Sequence, residues 1–197
     1  MKALIICEES QTVCKALRKR GHEAYSNDII KCSGGHPEWH IQGHCFEAMF
    51  KQRFDFLGAH PPCTYLANSG VRWLYNPDGT RNEDRWEKME TAATFFKTIL
   101  NTVKSIGKGY VENPIMHKYA LEIIGERPTQ IIQPWQFGHP ETKATCLWVV
   151  GLPPLKPTNI VEGREQRIWK LPPSPDRAKL RSKTYEGIGE AISNQWT

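Results

Sequence analysis

Apolar and polar positions follow two periods along this chain, and the changes of period mark its elements. The opening Lys2-Ala3-Leu4-Ile5-Ile6-Cys7 is a nearly continuous apolar run, the pattern of a strand buried on both faces. From Ser10 to Arg20 the period becomes helical, with Val13, Ala16 and Leu17 on one side and Lys15, Arg18, Lys19 and Arg20 on the other. Gly21 ends that helix, and His22-Glu23-Ala24-Tyr25-Ser26 reads as a second strand that stops at Asn27-Asp28. Strand, helix and strand in succession predict a βαβ unit opening an α/β sheet.

The stretch 30–43 is rich in Gly, Pro and His and reads as a loop; Phe46 to Lys51 reads as a short helix. Phe54 to His60 is an apolar run that ends at Pro61. Glu83 to Ser105 is the longest helical pattern, with Met89, Ala92, Ala93, Phe96, Ile99, Leu100 and Val103 spaced for one buried face. Gly109-Tyr110-Val111 predicts a strand running into Glu112-Asn113-Pro114, and two more strands, 129–133 and 146–150, flank the loop Phe137-Gly138-His139-Pro140. The Pro-rich stretch 151–180 lacks periodicity and is expected to cover the sheet as an extended segment. With 197 residues, the expectation is one domain, residues 1–197.

Composition narrows the class. No stretch approaches the ~20 apolar residues of a membrane span, and the start is too soon charged for a signal peptide, so a cytoplasmic protein without an anchor is expected. Six unevenly spaced cysteines read as reduced thiols, not as a disulfide framework. A formal charge of +5 suits a polyanionic partner but is weak by itself. Of the seven Trp, Trp73, Trp86, Trp135 and Trp169 lie near basic residues or in Pro/Gly-rich loops, where stacking on bases competes with an ordinary core role.

Chemistry gathers where strands end. Pro61-Pro62-Cys63 holds a thiol in a loop just past a strand, and in a doubly wound sheet the carboxyl ends of all strands share one crevice. That logic collects Glu8, Asp28, Cys63 and Glu112. A thiol beside a carboxyl is the minimum for covalent addition to an electron-poor ring such as cytosine: the thiolate attacks a ring carbon while the carboxyl relieves charge at a ring nitrogen.

These pieces resemble the cytosine-C5 DNA methyltransferases, and among them the short single-domain type of bacteriophages and prophages. Ala59-His60-Pro61-Pro62-Cys63 followed by Ser69-Gly70-Val71-Arg72 is similar to the family's Pro-Cys motif and catalytic loop. Val111-Glu112-Asn113-Pro114 resembles its Glu-Asn-Val motif, the run from Gln136-Phe137-Gly138-His139-Pro140 to Lys143 the segment that carries its Gln-x-Arg-x-Arg motif, and Thr184 to Asn194 its closing Gly-Asn-x-Val motif. The resemblance implies a Rossmann-like sheet with helices on both faces and no separate target recognition domain. It implies S-adenosylmethionine as cofactor, against Glu8, Glu9, Ser10, Asp28, His44, Pro61 and Glu190. It implies Cys63 as nucleophile and Glu112 as the group holding the cytosine ring, with Pro62, Arg72, Asn113, Lys143 and Thr145 toward substrate. The implied partner is DNA with a flipped or single-stranded cytosine, and a partner protein could supply sequence specificity.

The chain departs from that family in its first loop, where Cys7-Glu8-Glu9-Ser10-Gln11 has no Gly, and at the Gln and two Arg positions, where Glu141, Lys143 and Thr145 stand. Two rival readings follow: modification of a free cytosine nucleotide, and a degenerate methyltransferase-like module that binds DNA or protein without turnover. The spacing of Cys32, His36, His40, His44 and Cys45 also admits zinc, but Gly34, Gly35 and Pro37 interrupt any helix that would align them. A polar loop rimming the cofactor pocket is the expectation there, and no metal.

Overall fold

The computed structural model describes every residue except Asp176; the side chains of Trp169, Ala178 and Lys179 also lie outside the described residues. Seven strands form one mixed sheet in the order β3-β2-β1-β4-β5-β7-β6. They are β1 (Lys2–Ile6), β2 (Glu23–Asp28), β3 (His40–Gln42), β4 (Phe56–Ala59), β5 (Gly109–Pro114), β6 (Gln130–Ile132) and β7 (Thr145–Val150). The first five are parallel to one another, and β7 runs antiparallel to both β5 and β6. Strand order reverses between β1 and β4, which opens a crevice at their carboxyl ends.

Helices cover both faces because the central strands are apolar on both. Leu4, Ile6, Leu57, Ala59 and Val111 pack toward α2 (Cys45–Phe50), α3 (Glu83–Ile106) and α4 (Lys118–Ile124). Ala3, Ile5, Phe56 and Tyr110 pack on the other face toward α1 (Thr12–Lys19) and α7 (Glu186–Gln195). Helix α3 starts at Asn82, whose side chain accepts from Arg85 N, and ends at Gly107 in the left-handed region. Its buried face meets β7 through the edge-to-face pair Phe96–Trp148, 4.8 Å between centroids.

Two expectations are corrected. The stretch 30–43 is not all loop: His40–Gln42 pairs with Ser26–Asp28 as an edge strand. The stretch 151–180 is not wholly extended, since it carries α5 (Arg167–Lys170) and the start of α6 (Arg177–Ser182). Within it Leu155 is buried and bonded both ways to the Gln130 amide. No described helix is long and apolar enough to cross a membrane.

Candidate active site

Register sets the site. Asn27, Ile6, Ala59 and Val111 lie level across β2, β1, β4 and β5, so the residues just beyond them, Asp28, Cys7, His60 and Glu112, form the lip of the crevice. From Ala59 the ladder makes one more bond, His60 N to Ile6 O at 3.1 Å. Two prolines then lack the donor to continue it. The Asn113 amide on β5 donates to Pro61 O at 2.8 Å in a buried position, which ties the start of the cysteine turn to the neighbouring strand. Cys63 O in turn accepts from Leu66 N and Ala67 N, both at 3.0 Å. The thiol therefore stands half-buried on a turn fixed at both ends.

Glu112 lines a small closed pocket with His60, Tyr110, Lys143, Thr145 and Tyr185. Its free volume is about 10 Å³, scarcely enough for one water. A pyrimidine ring could enter only if side chains on its wall, such as Thr184 and Tyr185, moved. Burial raises the Glu112 carboxyl above the usual range, with Lys143 opposing. The Cys63 thiol is raised by burial first and by the Glu112 charge second, and Lys143 and Arg181 oppose. The Cys63 thiol thus feels the carboxyl: a charged Glu112 disfavours the thiolate, and protonating Glu112 removes that repulsion.

The sequence pattern missed the groups that frame this pair. His60 lies between Tyr110 Oη at 2.8 Å and Thr184 Oγ1 at 3.3 Å, and burial lowers its pKa to about 3, so it stays neutral. Tyr185 bonds Glu141, which also accepts from Arg167 Nε at 2.9 Å. Lys143 Nζ donates to Lys183 O at 3.2 Å, closing this side of the pocket. Gly187 makes the approach possible: a Cβ there would lie 1.9 Å from Phe137 O, and its N–H donates to His139 Nε2 at 3.1 Å. A histidine before a proline and a tyrosine in a strand carry no signal that separates them from ordinary core residues.

At the β1 end, the loop without glycine still adopts glycine-like backbone. Cys7 and Gln11 have φ of 56° and 57°, in the left-handed region where L-residues are uncommon. Gln11 is held there by its buried amide, which bonds Ser26 Oγ and exchanges two bonds with the His36 backbone. Buried Glu8 accepts from Val13 N at 2.6 Å and Cys14 N at 3.2 Å, so its carboxyl caps α1 from within. Burial nonetheless raises it to about 8. Glu9 Oε2 is buried without a hydrogen-bond partner, and the Glu9 charge adds to the burial that raises Asp28.

The remaining expected residues divide. Ser10 is buried with its hydroxyl on Thr12 Oγ1 at 3.2 Å, and Pro61 is buried while Pro62 is exposed. Lys143 and Thr145 reach the Glu112 pocket. Exposed His44 caps α2, accepting from Phe46 N at 3.4 Å. Glu190 faces outward on α7 beside Lys19, 3.8 Å away, because Ile188, Ala191 and Ile192 take the buried side. Arg72 lies outside the pocket, 4.5 Å over the Trp73 ring. Trp86 and Trp135 are half-buried under Arg81 and Arg164, and the Trp169 side chain lies outside the described residues. The zinc candidates are separately engaged: His36 stacks on Trp39, His40 meets Ser26 Oγ at 2.9 Å, and Cys45 hydrogen-bonds Cys7.

No family model matches the chain, and no curated protein matches it.

Proposed function

We propose that the chain is a methyltransferase acting on carbon 5 of cytosine in DNA, with S-adenosylmethionine as cofactor. The observation that carries this reading is the Cys63–Glu112 pair on neighbouring strand ends, linked by the Asn113 bond to Pro61 and by the Glu112 charge that raises the Cys63 thiol. The order β3-β2-β1-β4-β5 supports the Rossmann-like part, since it repeats the doubly wound arrangement around a switch point.

The β1 and β2 ends suit a cofactor that donates hydrogen bonds. Helix N-termini ordinarily attract phosphate, but Glu8 already occupies the start of α1. The unpartnered Glu9 Oε2 and the nearby Asp28 want donors, as ribose hydroxyls or an ammonium group would provide. In this reading Glu9 and Asp28 hold those groups, and the bound cofactor supplies an electrophilic methyl group. Cys63 adds as thiolate to carbon 6 of the cytosine, and the ring electrons move to carbon 5 while protonated Glu112 donates at N3. Once carbon 5 is methylated its proton is lost to a base, the ring double bond reforms, and the Cys63 thiolate leaves.

DNA containing 5-fluorocytosine tests this. With S-adenosylmethionine it should trap a complex that resists denaturation and that Cys63→Ser abolishes; the absence of any complex with either single- or double-stranded DNA refutes the reading. Competition by dCMP separates action on a free nucleotide. The closed 10 Å³ pocket favours a second reading, binding without turnover. Calorimetric titration showing no uptake of millimolar S-adenosylmethionine would support it.

A further inference from the structure

Beyond the Cys63 turn, a 3-10 segment, Asn68–Leu74, lies over the first turns of α3 and leaves an open basin of about 880 Å³. That volume is in the range of sites for whole ligands, about 300–1,000 Å³. Arg72, Trp73, Tyr75, Asn76, Asn82 and Arg85 form most of its wall. Trp73 is 55% exposed, a large ring left facing water with the Arg72 guanidinium 4.5 Å above it. Arg85 donates to Thr64 O at 3.1 Å and lies 4.4 Å over Tyr65, so the basin is fastened to the residues immediately after Cys63.

Its charges are unbalanced. Asp84, also in the wall, is bonded to Lys88 at 2.8 Å, and Glu83 and Glu90 lie 3.7 and 3.9 Å from Arg81. Among the described residues Arg72 and Arg85 form no ion pair. An anion is what this wall lacks, and an exposed indole beside two guanidinium groups matches a nucleotide, a flat ring with a phosphate. A base reaches Trp73 only when it has left its stack, which favours single strands over duplex.

We propose that the basin binds single-stranded DNA, taking a nucleotide that flanks the target, with its base on Trp73 and its phosphate between Arg72 and Arg85. That the strand is DNA and a cytosine substrate rests on the function proposed above; binding of a single strand does not.

Oligo(dT), which has no cytosine, tests the basin alone. Anisotropy of a labelled oligo(dT) with the full chain should show tighter binding than to a dT·dA duplex or to oligo(U) of equal length. Trp73→Ala should weaken it about tenfold or more, and Trp73→Phe should restore most of the loss, which a misfolded variant would not do. Arg72→Ala should reduce the slope of log affinity against log salt by about 0.7. No binding of oligo(dT), equal or tighter binding of duplex or oligo(U), or a Trp73→Ala protein that binds like wild type overturns the proposal. If oligo(dT) binding depends on Trp73 but fluorocytosine traps no adduct, methyl transfer falls and the basin stands; an adduct that forms with Trp73 irrelevant gives the reverse.

Discussion

Glu112→Gln should move the chemistry of Cys63 in two directions at once. The carboxylate charge is the second cause, after burial, of the raised thiol, and the amide removes it while keeping the shape. A unit charge at ~4 Å contributes about 1 kcal/mol in bulk water and about 4 kcal/mol at an effective dielectric of ~20, and each 1.4 kcal/mol of repulsion relieved gives about tenfold more thiolate. A thiolate of lower basicity is also a poorer nucleophile, with an exponent of about 0.4–0.5, so about threefold remains per 1.4 kcal/mol. The assay is the rate of reaction with an aromatic disulfide reagent near pH 7.5, read as the difference from Cys63→Ser so that the other cysteines cancel. The Gln variant should react about threefold faster or more, whereas Lys143→Met, which removes the opposing charge, should react more slowly. Under the proposed function the Gln variant also loses about 10²–10⁴ in adduct formation, since it cannot protonate N3. Unchanged or slower thiol reaction in Glu112→Gln would refute the coupling, whatever the protein's substrate.

Two further substitutions test the frame. Glu8 is raised from its usual 4.5 to about 8 by burial, so between those values the folded protein holds a proton that the unfolded chain has released. Its contribution is therefore intact below about pH 4.5 and declines as pH rises toward 8, by at most about 5 kcal/mol at ~1.4 kcal/mol per unit. Glu8→Gln cannot ionise, and urea unfolding at pH 5 and pH 8 should show a flatter profile than wild type; equal slopes contradict the assignment. Asn113→Ala removes the buried donor to Pro61 O and should cost about 1–3 kcal/mol, with an unmoved urea midpoint as the contrary result.

The parts legible in the sequence are those where a single period runs long enough to decide an element. Strand β1 is five residues, of which four are buried, and α3 repeats its apolar face over 24 residues. Strand β3 is three residues, none buried, held by one neighbour, so no alternation could announce it. Helix α4 went unread because His117 caps it through its ring, outside the usual Ser, Thr, Asp and Asn. In the site, Cys63 and Glu112 were readable because strand ends converge, but Thr184 and Tyr185 come from a segment whose approach depends on Gly187. The outward position of Glu190 was readable: the spacing of Ile188, Ala191 and Ile192 already turns it to solvent.

The first loop shows how a missing motif can be physically replaced. A glycine-rich turn serves two ends, left-handed backbone and room for an anion at the helix start. Here the left-handed backbone is kept at Cys7 and Gln11, with the buried Gln11 amide offsetting the strain through three hydrogen bonds. An acceptor is kept as well, but it belongs to the chain: the Glu8 carboxyl, which burial keeps protonated up to about pH 8, fills the place a phosphate would take. The loss of glycine therefore does not by itself imply a dead pocket. Under the proposed function it changes the cofactor groups this loop would accept, away from groups that need the helix start and toward groups that donate to Glu9 and Asp28. A cofactor with hydroxyl and ammonium donors and no phosphate meets that requirement, while a dinucleotide would have to displace a buried carboxyl from two backbone N–H groups.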